Sequence, residues 1–258
     1  MITLVQLLQS WGLVGRASPA ADAVAKGLRL LAEHSTARAI VEFDWAIALD
    51  PAEKAAWIGR AAARLERGDP DGAIADAARA IAIDPADARA RTARGVAHLD
   101  NDDPKRAIAD FDEAIALDPG DGRIYDQRAR AYLFMRDFDG ALADYDQMIQ
   151  LAPNDPLAYC RRGDVFRSKG DCDQAAAEHS RAIALAPVSN HYLQRGLVFL
   201  QQGNHSAALA DFDEAIRLDP RSDLAYSARS RTFAAMGNRK RANADYDEAL
   251  RLGAMRNG

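Results

Sequence analysis

The hexapeptide AIALDP at residues 114–119 recurs along this chain in closely similar form. Its copies are AIALDP at 46–51, AIAIDP at 80–85, AIALAP at 182–187, AIRLDP at 215–220 and, without the proline, ALRLGA at 249–254. The prolines that close these stretches, together with Pro153, are separated by 34, 34, 34, 34 and 33 residues. A fixed period of this length indicates a chain built from small repeated modules.

Each repeat predicts two helices joined by a short turn. In the fourth repeat, Tyr125 and Ala129 share one helical face, and Ala141 and Tyr145 form a second apolar stripe after a break. In the second repeat the break is Gly68-Asp69-Pro70, which supplies a helix stop, an N-cap and a proline for the first helical turn. Glycines followed by a capping residue mark the same turn at 170–171, 203–204 and 237–238.

The ends of each repeat carry signals of their own. The closing proline disfavours helix for the residue before it and so ends the second helix. Acidic residues at Asp87, Asp121 and Asp155 then stand where the next helix needs an N-cap. A single hairpin cannot bury its apolar faces, so neighbouring hairpins must stack. We expect Gly95, Gly163 and Gly196 to let one helix approach another closely.

This pattern resembles the tetratricopeptide repeat family. In that family a small residue in the first helix is followed by Ala, an aromatic, Ala and Pro in the second. The matching residues are Gly95 with Ala107, Phe111, Ala114 and Pro119, and Gly196 with Ala208, Phe212, Ala215 and Pro220. Departures include Ala77 and His179 at the aromatic position. The resemblance implies an all-α, right-handed superhelical solenoid of stacked antiparallel helix hairpins.

The predicted organisation has three parts. Residues 1–19 form an apolar N-terminal segment, residues 20–253 an array of about seven repeats of 34 residues, and residues 254–258 a C-terminal tail. The segment 1–14 is predicted either as a short helix that covers the first repeat or as a secretory signal, since small-residue pairs follow it. It lacks a basic start, so we expect a cytoplasmic protein, with a periplasmic or secreted location as the alternative.

Six repeats carry an arginine just before the small residue of the first helix and an acid sixteen residues later. The pairs are Arg60/Asp76, Arg94/Asp110, Arg128/Asp144, Arg162/Glu178, Arg195/Asp211 and Arg229/Asp245. The midpoint of each pair falls at the turn, where residues equidistant along an antiparallel hairpin lie level with each other. We therefore expect each pair to meet across its own hairpin, with bidentate geometry available.

The chain shows no catalytic motif that supports an enzyme. It has no glycine-rich phosphate loop and no nucleophile elbow. The five histidines are scattered, and His179 occupies a position where the repeat expects a packing aromatic. Cys160, Cys172 and His179 lack zinc-finger spacing, and the two cysteines are too far apart for a disulfide. We expect no catalytic site, no metal and no cofactor.

A partner-binding surface is the remaining hypothesis. The resemblance implies that first helices line an inner, concave groove. The predicted contact residues on these helices are Arg89, Arg123, Asp126, Gln127, Arg130, Arg161, Asp164, Arg167, Gln194 and Arg231. Their arginines predict a positive groove suited to a protein or peptide partner, acidic in character; the alternative is a charged face that is simply solvated.

Charge and hydropathy limit the classes of partner. The 258 residues include 33 Lys and Arg and 38 Asp and Glu, for a net charge of −5. This mild acidity argues against nucleic acid, and no apolar run reaches the length of a membrane span. The last repeat has no following helix to cover Tyr246, Leu250 and Leu252, which predicts a homodimer contact or a docking site there.

Overall fold

The computed structural model describes residues 18–256, and within them it contains fourteen α-helices and no strand. The helices are α1 Pro19–Ala32, α2 Thr36–Leu49, α3 Lys54–Glu66, α4 Pro70–Ile83, α5 Ala88–Asp100, α6 Pro104–Leu117, α7 Gly122–Phe134, α8 Phe138–Leu151, α9 Pro156–Lys169, α10 Cys172–Leu185, α11 Ser189–Gln201, α12 His205–Leu218, α13 Asp223–Ala235 and α14 Arg239–Arg256. The all-α repeat fold is confirmed. The predicted N-terminal alternatives concern residues 1–14, which lie outside the described residues.

All seven turns inside the hairpins use one residue in the left-handed region. Four of these are the predicted glycines, with φ of 72° at Gly68, 86° at Gly170, 74° at Gly203 and 77° at Gly237. The other three turns place His34, Asp102 and Arg136 there, with φ of 55°, 56° and 61°. The turn geometry is therefore common to all repeats, whereas the glycine that suits it is not.

The starts of the first helices follow the predicted capping pattern. The side chains of Asp87, Asp121 and Asp155 accept hydrogen bonds from the backbone N–H groups of Arg89, Arg123 and Leu157. These bonds satisfy donors that have no acceptor within the helix. In these three hairpins, a tight turn joins the two helices at one end and an acidic cap begins the first helix at the other.

The described residues form two compact units, residues 18–144 and 145–256. Within each unit, the described helices that pack extensively are neighbours or next-but-one neighbours along the chain, as stacked modules require. In unit 1 the core is built on fully buried Phe43, Ile58 and Phe111 among many alanines. In unit 2, Phe212 packs with Ala208, Ala215 and the next first helix at Ala225.

Two glycines mark close approaches between helices of one hairpin. A Cβ placed on Gly95 would lie 2.6 Å from Cε1 of Phe111, and one on Gly196 would lie 2.6 Å from Cε1 of Phe212. At Gly163 the facing ring is that of His179, whose nearest atoms would be 3.0 Å away. The predicted close approach is confirmed at all three positions, and His179 is a packing residue.

The six predicted arginine–acid pairs all form, and the acids are buried. In Arg128/Asp144, Nε donates to Oδ2 at 3.0 Å and Nη2 to Oδ1 at 2.5 Å. The other pairs are Arg60/Asp76, Arg94/Asp110, Arg162/Glu178, Arg195/Asp211 and Arg229/Asp245. We call this set the ladder. Because each buried carboxylate depends on its arginine, the ladder fixes the register of the two helices.

In four repeats the ladder also links the hairpin to the one before it. The free Nη1 of Arg60 reaches Asp44 at 2.6 Å, and that of Arg128 reaches Asp112 at 2.5 Å. The same contact joins Arg162 to Asp146 and Arg229 to Asp213. In these four repeats, one guanidinium therefore ties three helices together.

Two further contacts accompany the ladder. Arg60 lies over the ring of Trp57 at 4.8 Å, and Arg128, Arg162, Arg195 and Arg229 each lie over a tyrosine three residues earlier. The first repeat carries a lysine in place of the arginine, with Lys26 and Glu42 2.6 Å apart. These cation–π contacts help to hold the stacked arginines in place.

Candidate functional site

In unit 1, two predicted contact arginines fold back onto their own helix caps. Arg89 donates through Nε and Nη2 to the two carboxylate oxygens of Asp87, at 2.9 and 2.7 Å. Arg123 makes the same fork on Asp121, with both distances 2.7 Å. The fork repeats because both helices begin with an acid at the cap and an arginine two residues later. Both arginines remain about one third exposed.

A polar cleft of about 490 Å³ lies between these two helix starts. Lys54 enters it from α3 and contacts Asp84 at 2.5 Å and Asp87 at 2.8 Å. Its other lining residues include Asp118, Leu117 and Ile124. Burial raises the pKa of Asp87, but the hydrogen bonds from Arg89 and Lys54 outweigh this effect and lower that pKa to about 2. The cleft is therefore fully ionised at neutral pH.

The acids of this cleft outnumber its cations by one: Asp84, Asp87, Asp118 and Asp121 lie with Lys54, Arg89 and Arg123. Each of Lys54, Arg89 and Arg123 is matched by an acid within 3 Å. The prediction of a positive groove therefore does not describe the α3–α7 helix starts, since the sequence pattern counted the arginines without their capping acids. Lys54, Asp84 and Asp118 were not predicted as site residues. Asp84 and Asp118 each precede a closing proline, which was the available signal, whereas Lys54 has no equivalent lysine at positions 88, 122 and 156.

Further along α7, two of the predicted contacts lie inside the protein. Asp126 and Gln127 are fully buried, so they do not offer side chains to a partner. Gln127 accepts a hydrogen bond from Nη1 of Arg130, which is partly exposed. Helical spacing placed all of these residues on one face but did not distinguish the residues at its buried edge from those at the surface. Arg130 is the one of the three that reaches the surface.

In unit 2, α9 carries Arg161, Asp164 and Arg167 on one partly exposed face. Nη2 of Arg167 and Oδ1 of Asp164 are 3.7 Å apart, which exceeds hydrogen-bonding distance. Burial raises the pKa of Asp164, and the two arginines oppose that rise. Nε of Arg167 and Oδ1 of Asp164 have no hydrogen-bond partner among the described residues. Both of these atoms are buried, although each side chain as a whole is about one third exposed.

Behind that face lie two groups that sequence reasoning had considered for chemistry. His179 is fully buried, and burial lowers its pKa to about 4, so the ring is neutral at pH 7. Burial also raises the pKa of Cys160 to about 12, which leaves an inert thiol. Cys160 and Cys172 are both free, as expected. Neither group is poised as a nucleophile or base.

The remaining predicted contacts of unit 2 lie on the next two first helices. Gln194 is partly exposed on α11 and lies 3.5 Å from Asn190. Arg231 is exposed on α13 and forms no ion pair with a described residue. In the last repeat, Tyr246 and Leu250 are each 56% exposed, whereas Leu252 is 7% exposed. The expected uncovered surface therefore exists at Tyr246 and Leu250 but does not include Leu252.

Across residues 18–256, no group of three or more His, Cys, Asp or Glu side chains is arranged to hold a metal ion. None of the helices described here is both long and apolar enough to cross a membrane.

Comparison with known families agrees with the repeat geometry. The tetratricopeptide repeat model matches residues 24–88, 63–122, 127–190 and 160–223, which together cover most of the chain. The chain belongs to the tetratricopeptide repeat family. Members of this family bind protein or peptide partners. No curated protein is significantly similar in sequence.

Solved tetratricopeptide repeat structures share the fold at low sequence identity. A tetratricopeptide repeat protein from Parabacteroides merdae is 15% identical, with a TM-score of 0.70 and coverage of 92% of this chain and 94% of that one. Pseudomonas aeruginosa pilF is 19% identical, with a TM-score of 0.64 over 79% and 92%. YrrB, described as having an unusual peptide-binding site, is 21% identical, with a TM-score of 0.54 over 72% and 97%. These likenesses establish the fold alone.

Proposed function

We propose that this protein is a non-catalytic interaction scaffold that holds a peptide segment or a protein partner on its first helices. Family membership supports an interaction role, because tetratricopeptide repeat proteins bind proteins or peptides. YrrB offers a precedent for peptide binding on such a fold. The mechanism is a preorganised surface: rigid helices present their contacts with little ordering cost at binding.

The observation that carries the proposal is the partly exposed polar face of α9. The side chains of Asp164 and Arg167 are 35% and 33% exposed, and their closest charged atoms are 3.7 Å apart, so the exposed parts of both can contact a partner. With Arg161 the face holds two cations and one anion. It therefore favours an acidic segment, whose carboxylates arginine binds in bidentate fashion. In contrast, the cleft at Arg89 and Arg123 has one more acid than it has cations, so it does not favour an acidic segment.

A charge-reversal pull-down tests the proposal. The tagged full chain, the double variant Arg161→Glu/Arg167→Glu and a control variant are incubated with native lysate, and captured proteins are compared by mass spectrometry. Arg217→Glu is the matched control, because Arg217 is 67% exposed on a second helix. We expect the wild type and the control to capture the same partner and the double variant to lose it, with helical content unchanged by circular dichroism.

The captured partner then provides a direct measurement. A synthetic peptide covering its acidic segment should bind wild type, and its affinity should fall with added salt, because the contact is between exposed charges. Undiminished capture by Arg161→Glu/Arg167→Glu would show that the partner uses another surface. Capture lost equally in Arg217→Glu would show that the effect is one of net charge.

Location and assembly form the rest of the proposal. We place the protein in the cytoplasm and keep a periplasmic or secreted assembly role as the alternative, for which the apolar stretch 1–14 and the small residues after it are the reason. N-terminal sequencing of the mature chain decides between them, because cleavage near Ala20 or Ala23 supports export. Of the two uses predicted for the uncovered surface at Tyr246 and Leu250, a homodimer contact and a docking site, we propose the docking site.

A further inference from the structure

The outer surface of α2 carries an apolar stripe that the other repeats do not have. Val41 is 63% exposed, Trp45 59% and Leu49 42%, and exposed Ala37 extends the stripe by one turn. These residues are spaced by four along the helix, so they form one continuous ridge. We call Ala37, Val41, Trp45 and Leu49 the α2 stripe.

Comparison with the other six repeats shows that the stripe is not a feature of the repeat itself. The position of Val41 holds alanine in every other repeat, at 75, 109, 143, 177, 210 and 244. The position of Trp45 holds Arg, Glu, Gln, Arg, Glu and Glu, at 79, 113, 147, 181, 214 and 248. A large exposed tryptophan where six equivalent positions are polar marks a contact surface rather than a packing requirement.

The arrangement of the stripe is self-complementary in one orientation. If two copies of α2 pack antiparallel and level at residue 43, Ala37 of one copy meets Leu49 of the other, and Val41 meets Trp45. Each large side chain then faces a smaller one, and the two-fold axis uses the same surface from both molecules. A parallel arrangement would instead place Trp45 against Trp45 and leave Ala37 facing Ala37.

The charges beside the stripe agree with the antiparallel orientation. Arg38 is exposed at the start of the helix and forms no ion pair with a described residue, while exposed Asp50 follows the last residue of the helix. Antiparallel packing brings Arg38 of one copy near Asp50 of the other. The acids nearest the centre do not oppose this, because Glu42 is paired with Lys26 and Asp44 with Arg60, each at 2.6 Å.

We propose that the α2 stripe is a homodimer contact in which α2 packs antiparallel against α2 of a second copy of this chain. The surface is separate from the faces of the proposed scaffold function, so the dimer would present two sets of first helices. A single helix pair is a small interface, below about 1,200 Å² in total, and therefore a weak one. We expect a dissociation constant on the order of 10–100 µM.

Sedimentation equilibrium of the full chain tests the dimer. The variant Val41→Ala/Trp45→Arg gives α2 the two residues that α4 carries at Ala75 and Arg79, so the hairpin should still fold. We expect wild type to dimerise and this variant to associate at least about tenfold more weakly. The control Tyr246→Glu/Leu250→Glu alters the uncovered surface of the last repeat and should dimerise like wild type.

Disulfide trapping tests the orientation. In a Cys172→Ser background, where the remaining Cys160 is buried, Ala37→Cys and Leu49→Cys are prepared separately. Antiparallel packing predicts a disulfide-linked dimer when the two variants are mixed and oxidised, and none from either variant alone. Wild type that stays monomeric at millimolar concentration, or association lost only in Tyr246→Glu/Leu250→Glu, would overturn the proposal. A disulfide dimer formed by either variant alone would overturn the antiparallel arrangement.

Discussion

Replacing Arg128 with methionine should destabilise the protein far more than its partly exposed position suggests. Arg128 is bonded to two acids of different burial: the side chain of Asp144 is 2% exposed and that of Asp112 is 53% exposed. Methionine keeps much of the aliphatic length but leaves a buried carboxylate without its cation. We expect a loss of about 3–5 kcal/mol in the free energy of unfolding, the usual cost of breaking a buried pair on one side.

Two companion variants separate the contributions. Asp112→Asn removes only the exposed contact and should cost about 0–1 kcal/mol. Arg128→Met combined with Asp144→Leu removes both buried charges and should recover much of the stability, which gives a coupling energy of roughly 2–3 kcal/mol. The assay is urea unfolding followed by circular dichroism, with amide hydrogen exchange in α7 to localise the effect, because repeat arrays do not always unfold in one step.

The same variant should change the pH dependence of stability. Burial raises the pKa of Asp144, and the hydrogen bonds from Arg128 oppose that rise. Without Arg128 the pKa of the folded state rises further above that of the unfolded state, so the folded protein binds the proton more tightly. The difference in the free energy of unfolding between wild type and Arg128→Met should therefore become smaller as the pH falls through that raised pKa. If Arg128→Met costs no more than Asp112→Asn, or its deficit does not depend on pH, the ladder does not fix the hairpin register.

Three further outcomes follow from the structure, each measurable by urea unfolding. Asp102→Gly removes the backbone strain of a non-glycine residue at φ of 56° and should raise the free energy of unfolding by about 1 kcal/mol. Gly68→Ala introduces the same strain at φ of 72° and should lower the free energy of unfolding by about as much. Burial lowers the pKa of His179 from 6.5 to about 4. The contribution of the neutral ring to the free energy of unfolding, on the order of 1–3 kcal/mol, should therefore be lost as the pH falls across that range. His179→Phe should abolish this pH-dependent loss. In Gly95→Ala the added Cβ would lie 2.6 Å from the Phe111 ring, so the free energy of unfolding should fall by about 1–3 kcal/mol. The fall should be larger than in Gly163→Ala, where the added Cβ would lie 3.0 Å from the His179 ring.

The fold could be predicted from the sequence because its determinants are local and repeated. Backbone geometry is fixed within a few residues by the periodic prolines, the capping acids and the turn glycines. The repeats that carry these signals all predict the same hairpin. The ladder was predictable for a related reason. Two residues sixteen apart and centred on the turn must lie level with each other in an antiparallel hairpin. The left-handed residues Asp102 and Arg136 were not predictable, because the repeat imposes their conformation against their own preference.

The candidate site was harder to predict because it depends on where long side chains end. Helical spacing placed Arg123, Asp126 and Arg130 together but did not show that Arg123 would bond its own cap or that Asp126 would be buried. An arginine side chain is long enough to reach several acids. It binds the carboxylate whose position the backbone already fixes, which here is the N-cap two residues earlier. In a repeat protein, the residues most available to a partner are those whose neighbours break the pattern. Arg167 qualifies because its nearest acid lies 3.7 Å away, and Trp45 qualifies because every other repeat has a polar residue there.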